Sequence, residues 1–295
     1  MTEFLDLAPE VAEALAAGTP VVALETSIVG QGLPAPHNLQ AALGCEAAIR
    51  EEGAVPATIA VLDGRLRAGL TAGELERIAA GSRKVSARDL GPALASGEAG
   101  ATTVAATMRV AALANIRFFA TGGVGGVHRG HPEDVSADLA ELARTPVAVF
   151  CAGAKIILDL RLTLEALESL GVPVIGYGSD EFPAFYSARS GCPVSARADG
   201  PEDAVRLLEA SWATGAKGVL VAVPPPRELD DAEDLVRQAV GELPGLSGGE
   251  VTPRLLARIA ELSDGRSLDL NVELVLNNAR TAAKVAAAFA RIAQA

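Results

Sequence analysis

Three ionisable residues stand where chemistry is usually placed. Glu25 closes the apolar run Pro20–Leu24 (PVVAL) and is followed by Thr26, Ser27 and a glycine- and proline-rich loop. In open α/β sheets, ligands sit beyond the carboxyl ends of strands. A carboxylate leaving a buried strand there is partly desolvated, and its pKa rises toward the range useful for proton transfer. The alternative is a carboxylate satisfied by nearby backbone amides, and position alone divides the two readings evenly. Lys155 follows the run Val147–Cys151 and the turn Ala-Gly-Ala. The periodicity of Lys155–Leu170 predicts a helix with this lysine in its first turn, where the macrodipole disfavours a cation. Dipole and desolvation together would lower its pKa and expose a neutral amine, the condition for a Schiff-base nucleophile. A lysine reaching out from a helix start is the plainer reading. Asp134-Val-Ser136-Ala137-Asp138 opens a predicted helix that ends near Arg144. Asp134 reads first as its N-cap. The sharper reading is two carboxylates and a hydroxyl suited to a hard divalent ion and a sugar.

Other signals are weaker. Thr121-Gly-Gly-Val-Gly-Gly-Val-His128-Arg129 follows the strand-like RFFA, and its glycines permit close backbone approach and offer amides to a ligand. Only four lysines occur, and Lys84 is a candidate phosphate cation or an ordinary surface charge. Tyr177–Tyr186 gathers four aromatics, read mainly as core. Several familiar motifs fail. The third glycine of a dinucleotide fingerprint falls at His128, and no GK[ST] exists. Gly245-Leu-Ser247-Gly-Gly249 matches GxSxG, but all three histidines precede it, so it reads as a loop. His128-x-x-His131 lacks further zinc ligands nearby.

Elements that would position these residues alternate along the chain. Thr58–Leu62, Arg117–Ala120, Val172–Ile175 and Gly218–Val223 join the two runs above as strands. Asn38–Glu52, Thr71–Ala80, Val104–Ala114 and Ala204–Ala213 read as helices, and the C-terminus is mostly helical with breaks near Gly248 and Gly265. Continuous apolar strands between helices argue one α/β domain over residues 1–295, its sheet largely parallel or mixed and covered on both faces. Hydrophobic residues at 49% exclude global disorder. A net charge of −12 argues against a nucleic-acid polymer as partner. Three cysteines without a CxxC pair suggest a reducing compartment. The N-terminus lacks signal-peptide character and no long apolar stretch appears, so the cytoplasm is the expected location and no membrane is expected.

As a set the motifs are more specific than singly. ALETSIVGQGLPAPHN, KVSARDL, ATGGVGGVHRG, DVSADLAELARTPVAVFCAGAKIILD, GYGSDEFPAFYSARSG and NVELVLNNAR occur in that order from about Glu25 to about Arg280. The chain thereby resembles the pseudouridine-5′-phosphate glycosidase family, also called pseudouridylate synthases or indigoidine synthase A-like proteins. The resemblance implies a lyase that reversibly cleaves a C–C glycosidic bond, giving uracil and ribose 5-phosphate, with one divalent metal, usually manganese, in a homotrimer. It implies Lys155 as nucleophile, Glu25 as proton donor and Asp134 as metal ligand, with Asp138 the other candidate. Lys84, Val104, Ser136, Ala137 and Asp138 would bind substrate, and Thr121, His128 and one of Asn277 or Asn278 would join the pocket. His131 is given no role. The rivals are another Schiff-base lyase acting on a sugar phosphate and a catalytically quiet accessory protein.

Overall fold

Apolar runs too short for helices become strands, and amphipathic runs of nine residues or more become helices. The computed structural model describes residues 3–243 and 251–294; the Gly245–Gly249 motif and the predicted break at Gly248 lie outside them. In chain order the strands are β1 (Leu5–Leu7), β2 (Val21–Leu24), β3 (Val55–Leu62), β4 (Arg65–Ala68), β5 (Arg83–Val85), β6 (Gly100–Thr102) and β7 (Phe118–Ala120). They continue with β8 (Val127–His128), β9 (His131–Val135), β10 (Ala148–Cys151), β11 (Leu158–Asp159), β12 (Val174–Tyr177), β13 (Ala196–Ala198) and β14 (Val219–Ala222). The helices begin with α1 (Pro9–Ala17), α2 (His37–Glu51), α3 (Ala72–Ala80), α4 (Leu90–Ser96), α5 (Val104–Leu113) and α6 (Ala137–Leu142). They end with α7 (Leu160–Ser169), α8 (Pro201–Ala213), α9 (Ala232–Glu242), α10 (Val251–Leu262) and α11 (Arg266–Gln294).

Among the described residues, eleven strands form one mixed sheet in the order β1-β4-β3-β2-β7-β10-β14-β12-β13, with β5 and β6 branching from β3. The central path from β3 to β13 is parallel. β4 and β6 run antiparallel to β3. Valine, alanine and phenylalanine side chains on β2, β7, β10 and β14 are buried on both faces, as a covered parallel sheet requires. From β2 the chain crosses to β3 on one side, and β7 later takes the other side. The β2–β7 boundary is therefore a switch point, the usual place for a ligand beyond the strand ends. α11 packs on α2 and α8 and against β2, β7 and β10.

A second sheet of three short strands, ordered β11-β8-β9, is antiparallel. It overturns two expectations. Lys155 is not in a helix: it lies in the loop before β11, and α7 starts only at Leu160. Asp159 caps that helix, accepting from the Leu162 amide at 3.0 Å, so its start is displaced away from the lysine. The dipole argument for Lys155 falls with this. Nor is Asp134 an N-cap. It sits on β9, and Ser136 caps α6 by accepting from the Asp138 amide at 3.2 Å. No helix among the described residues is long and apolar enough to cross a membrane.

Candidate active site

The carboxyl ends of β2, β7 and β10 open into a cavity of about 820 Å³. Glu25 follows β2, Thr121 follows β7, and the turn after β10 leads to Lys155; all three line it. Glu25 is buried, and its two oxygens accept from the hydroxyls of Thr121 and Ser27. Its partners are hydroxyls from both sides of the switch point, not the backbone amides of the alternative reading. Burial raises its pKa, and Asp138 pushes the same way. The Lys155 ammonium and the two hydroxyls oppose this without reversing it. The site therefore holds an acid inclined to keep its proton beside a cation.

Lys155 is held by its backbone. Its amide donates to the Val124 carbonyl at 3.1 Å and its carbonyl accepts from the Leu158 amide at 2.9 Å. The preceding turn depends on Gly153, at φ +83°, where an added Cβ would stand 2.0 Å from the Pro183 carbonyl oxygen. Among the described residues the Lys155 side chain makes no hydrogen bond, which leaves its amine to the cavity.

Asp138 is a brace. It is buried, and its two oxygens accept from the amides of Ala105 at 2.9 Å and Gly125 at 2.8 Å. It thus ties α6 to the first turn of α5 and to the glycine-rich turn. That turn is less free than its sequence suggests, because the Gly125 amide is already taken. A Cβ on Gly125 would lie 2.2 Å from Ser136 Oγ, so glycine is required there by packing. Ser136, Ala137 and Val104 line the cavity at two helix N-termini. Lys84 stands on β5 at the mouth. Desolvation on its cavity side and repulsion by Lys155 hold its pKa below the usual lysine range, against the pull of Asp138 and Glu25. Cations and helix N-termini lining one cavity suit an anionic group.

The family described as "Indigoidine synthase A like protein" matches residues 10–288. The chain belongs to the indigoidine synthase A-like family. A curated Rhodospirillum centenum pseudouridine-5′-phosphate glycosidase is 58% identical, across 100% of this chain and 95% of its own length. One from Deinococcus radiodurans is 54% identical, across 98% and 96%. The solved prealnumycin C-glycosynthase AlnA, in complex with ribulose 5-phosphate, superposes with a TM-score of 0.90 at 39% identity, covering 100% and 99% of the two chains. An indigoidine synthase A-like protein from Thermotoga maritima gives 0.90 at 32% identity, covering 98% and 97%.

Within this family member, His128 and Asp134 meet at the cavity wall. His128 Nδ1 lies 3.2 Å from both the carboxylate and the carbonyl oxygen of Asp134. Among the described residues His128 Nε2 is buried without a hydrogen-bond partner. His131 is exposed and faces Glu133. No three His, Cys, Asp or Glu side chains gather into a metal cage among the described residues. Asp134, partly exposed to the cavity and with its oxygens less engaged than those of Asp138, fits a hard divalent ion that keeps most of its waters.

The asparagines depart from expectation. Asn277 donates to the Pro224 carbonyl at 3.3 Å, and neither it nor Asn278 lines the cavity. Fully buried Asn278 donates to the carbonyls of Thr121 at 2.8 Å and Gly122 at 3.3 Å, bracing the turn from behind. Asn271, two helical turns before Asn278 on the same face, does line the cavity and donates to the Tyr186 hydroxyl at 3.1 Å. Sequence reasoning passed over it. The available signal was Ser267, Asn271 and Asn278 spaced as one stripe on an otherwise apolar helix face. The aromatic segment divides its work: Phe182 and Tyr186 are core, and Phe185 also walls the cavity.

Proposed function

We propose that this enzyme reversibly cleaves the C–C glycosidic bond of pseudouridine 5′-phosphate to uracil and ribose 5-phosphate, through a Lys155 imine at C1′. The supporting observation is a buried carboxyl of raised pKa and an amine without a hydrogen-bond partner lining one cavity, Glu25 and Lys155. Glycosidases acting on oxygen-linked sugars use two carboxylates. A departing carbon needs a stronger electron sink, and an amine supplies one.

Glu25 gives a proton to the ring oxygen as the C1′–O4′ bond opens, leaving C1′ electrophilic through conjugation with the base. The Glu25 carboxylate left behind takes a proton from the Lys155 ammonium, and the freed amine adds to C1′ and loses a further proton, which passes to the uracil. Uracil C5 is protonated and the C1′–C5 bond breaks, its electron pair returning to the uracil while the nitrogen lone pair forms the iminium. Water hydrolyses the iminium, which frees ribose 5-phosphate and restores the amine, so one water is consumed overall. Lys84 and the Val104 amide at the start of α5 receive the phosphate. Asn271 presents an amide matched to the donor–acceptor edge of uracil. Asp134, steadied by His128, would hold the divalent ion, manganese in the first instance, which when bound supplies charge that polarises and orients ligand oxygens.

Intact-protein mass spectrometry after borohydride reduction with ribose 5-phosphate and manganese tests the reading. A reduced adduct on Lys155, lost in Lys155→Ala, together with uracil release from pseudouridine 5′-phosphate, is expected. An adduct without uracil release points to another sugar phosphate. No adduct removes the imine step.

A further inference from the structure

Arg129 lies outside the cavity, yet its guanidinium holds the lysine-bearing loop. Nε donates to the Leu158 carbonyl at 3.0 Å and Nη2 to the Ile156 carbonyl at 2.9 Å. The same group forks onto Glu233 of α9, at 3.1 Å to each carboxylate oxygen. These carbonyls belong to two of the three residues after Lys155. On the far side of the loop, the Lys155 amide is fixed to the Val124 carbonyl. The loop is thus clamped from both ends, by the glycine-rich turn and by Arg129.

The clamp also reaches Asp134. Arg129 joins β8 to β9, and β8 is the shared middle strand of the small sheet. Leu158 pairs with His128 on one side of β8, and Val127 pairs with Val135, beside Asp134, on the other. An arginine bridging β8 to the β11 loop therefore fixes the distance between the lysine and the carboxylate across one strand. A planar fork can donate to two carbonyls and a carboxylate at once; an ammonium cannot keep all those directions.

We infer that Arg129 is a positioning residue, which sets the Lys155 loop, and with it the Lys155–Asp134 spacing, for attack on C1′. This rests on the reading of Lys155 as nucleophile. Small displacements of a reacting group are costly: about 1 Å is worth on the order of 100-fold in rate.

Borohydride trapping with ribose 5-phosphate, followed over time, tests it in the full-length enzyme. Arg129→Ala is expected to form the Lys155 adduct about 10–100-fold more slowly. Its KM for pseudouridine 5′-phosphate should stay close to the parent's, because Arg129 does not line the cavity. Added methylguanidinium should restore part of the lost rate. Arg129→Lys, the milder change, should trap at an intermediate rate, and Glu233→Gln should lose least because both carbonyl bonds remain. Trapping by Arg129→Lys and Arg129→Ala at the parental rate would overturn the inference. So would a loss confined to KM, or one that follows folded fraction and ignores methylguanidinium. A parent enzyme that forms no adduct instead overturns the imine reading on which this rests.

Discussion

Glu25 sets the sign of two pH effects. Its folded pKa is raised above the ordinary 4.5, so the folded protein holds a proton that the unfolded chain releases. Stability therefore falls as pH rises from about 4.5 to the folded pKa, and stays at the lower level beyond. Glu25→Gln should lose uracil release yet melt higher than the parent at pH 8, with the gain vanishing near pH 4; calorimetry across pH checks this. In the parent, turnover should fall as pH rises through the Glu25 pKa, because a proton donor is then spent. The two aspartates separate cleanly. Asp134→Asn should abolish the response of activity to chelation and manganese return while keeping the parental melting temperature. Asp138→Asn should cost about 1–3 kcal/mol of stability, since it faces two backbone amides. Lys84→Ala should raise KM for the phosphorylated substrate about 10–150-fold, as loss of a charged hydrogen bond of about 1.5–3 kcal/mol implies. It should leave unphosphorylated pseudouridine unaffected. Glu25 was legible because the end of an apolar strand announces its own position in sequence; Lys155 was placed in a helix that starts five residues later. Asn271 was not legible, because its direction depends on which face of α11 meets the sheet.

At the scale of elements, the small sheet matters more than its length suggests. Thr163 of α7 accepts from the Val127 amide at 3.0 Å and donates to the Asp159 carbonyl at 2.6 Å, pinning β8 and β11 together. Thr163→Val leaves that buried amide unpaired and should cost about 1–3 kcal/mol, read by denaturant unfolding. Activity should fall further than stability, since the lysine loop hangs from β11. These strands were invisible in the sequence for a physical reason. β8 and β11 have two residues each, too few to show a period of two. The apolar spacing after Lys155 imitates a helix five residues early, and only the Asp159 cap marks the true start. β1, β4 and β5 were missed likewise: LDL, RLRA and RKV have charges in them and become strands only by pairing. The long apolar strands and amphipathic helices were legible to within a few residues because burial alone determines them.

Across the whole molecule, the cavity draws on residues from Glu25 to Asn271. The switch point was deducible as a principle but not in location, because strand order depends on pairings far apart in sequence. Asn278 ties the C-terminal helix to the turn after β7 in the middle of that span. Asn278→Ala should lower melting temperature and turnover together, as the Thr121 and Gly122 carbonyls lose their donor, and a paired thermal and kinetic measurement reads both. That brace also has a consequence in time. During synthesis the residues through Lys155 leave the ribosome well before α11 exists. At about 5–20 residues per second, roughly 6–25 s separate Lys155 from Asn278. Until then the turn beneath Thr121 lacks its support, and so does Glu25 through Thr121. On the proposed roles, a nascent chain thus bears the amine before the turn that carries its acid's Thr121 partner is braced by α11.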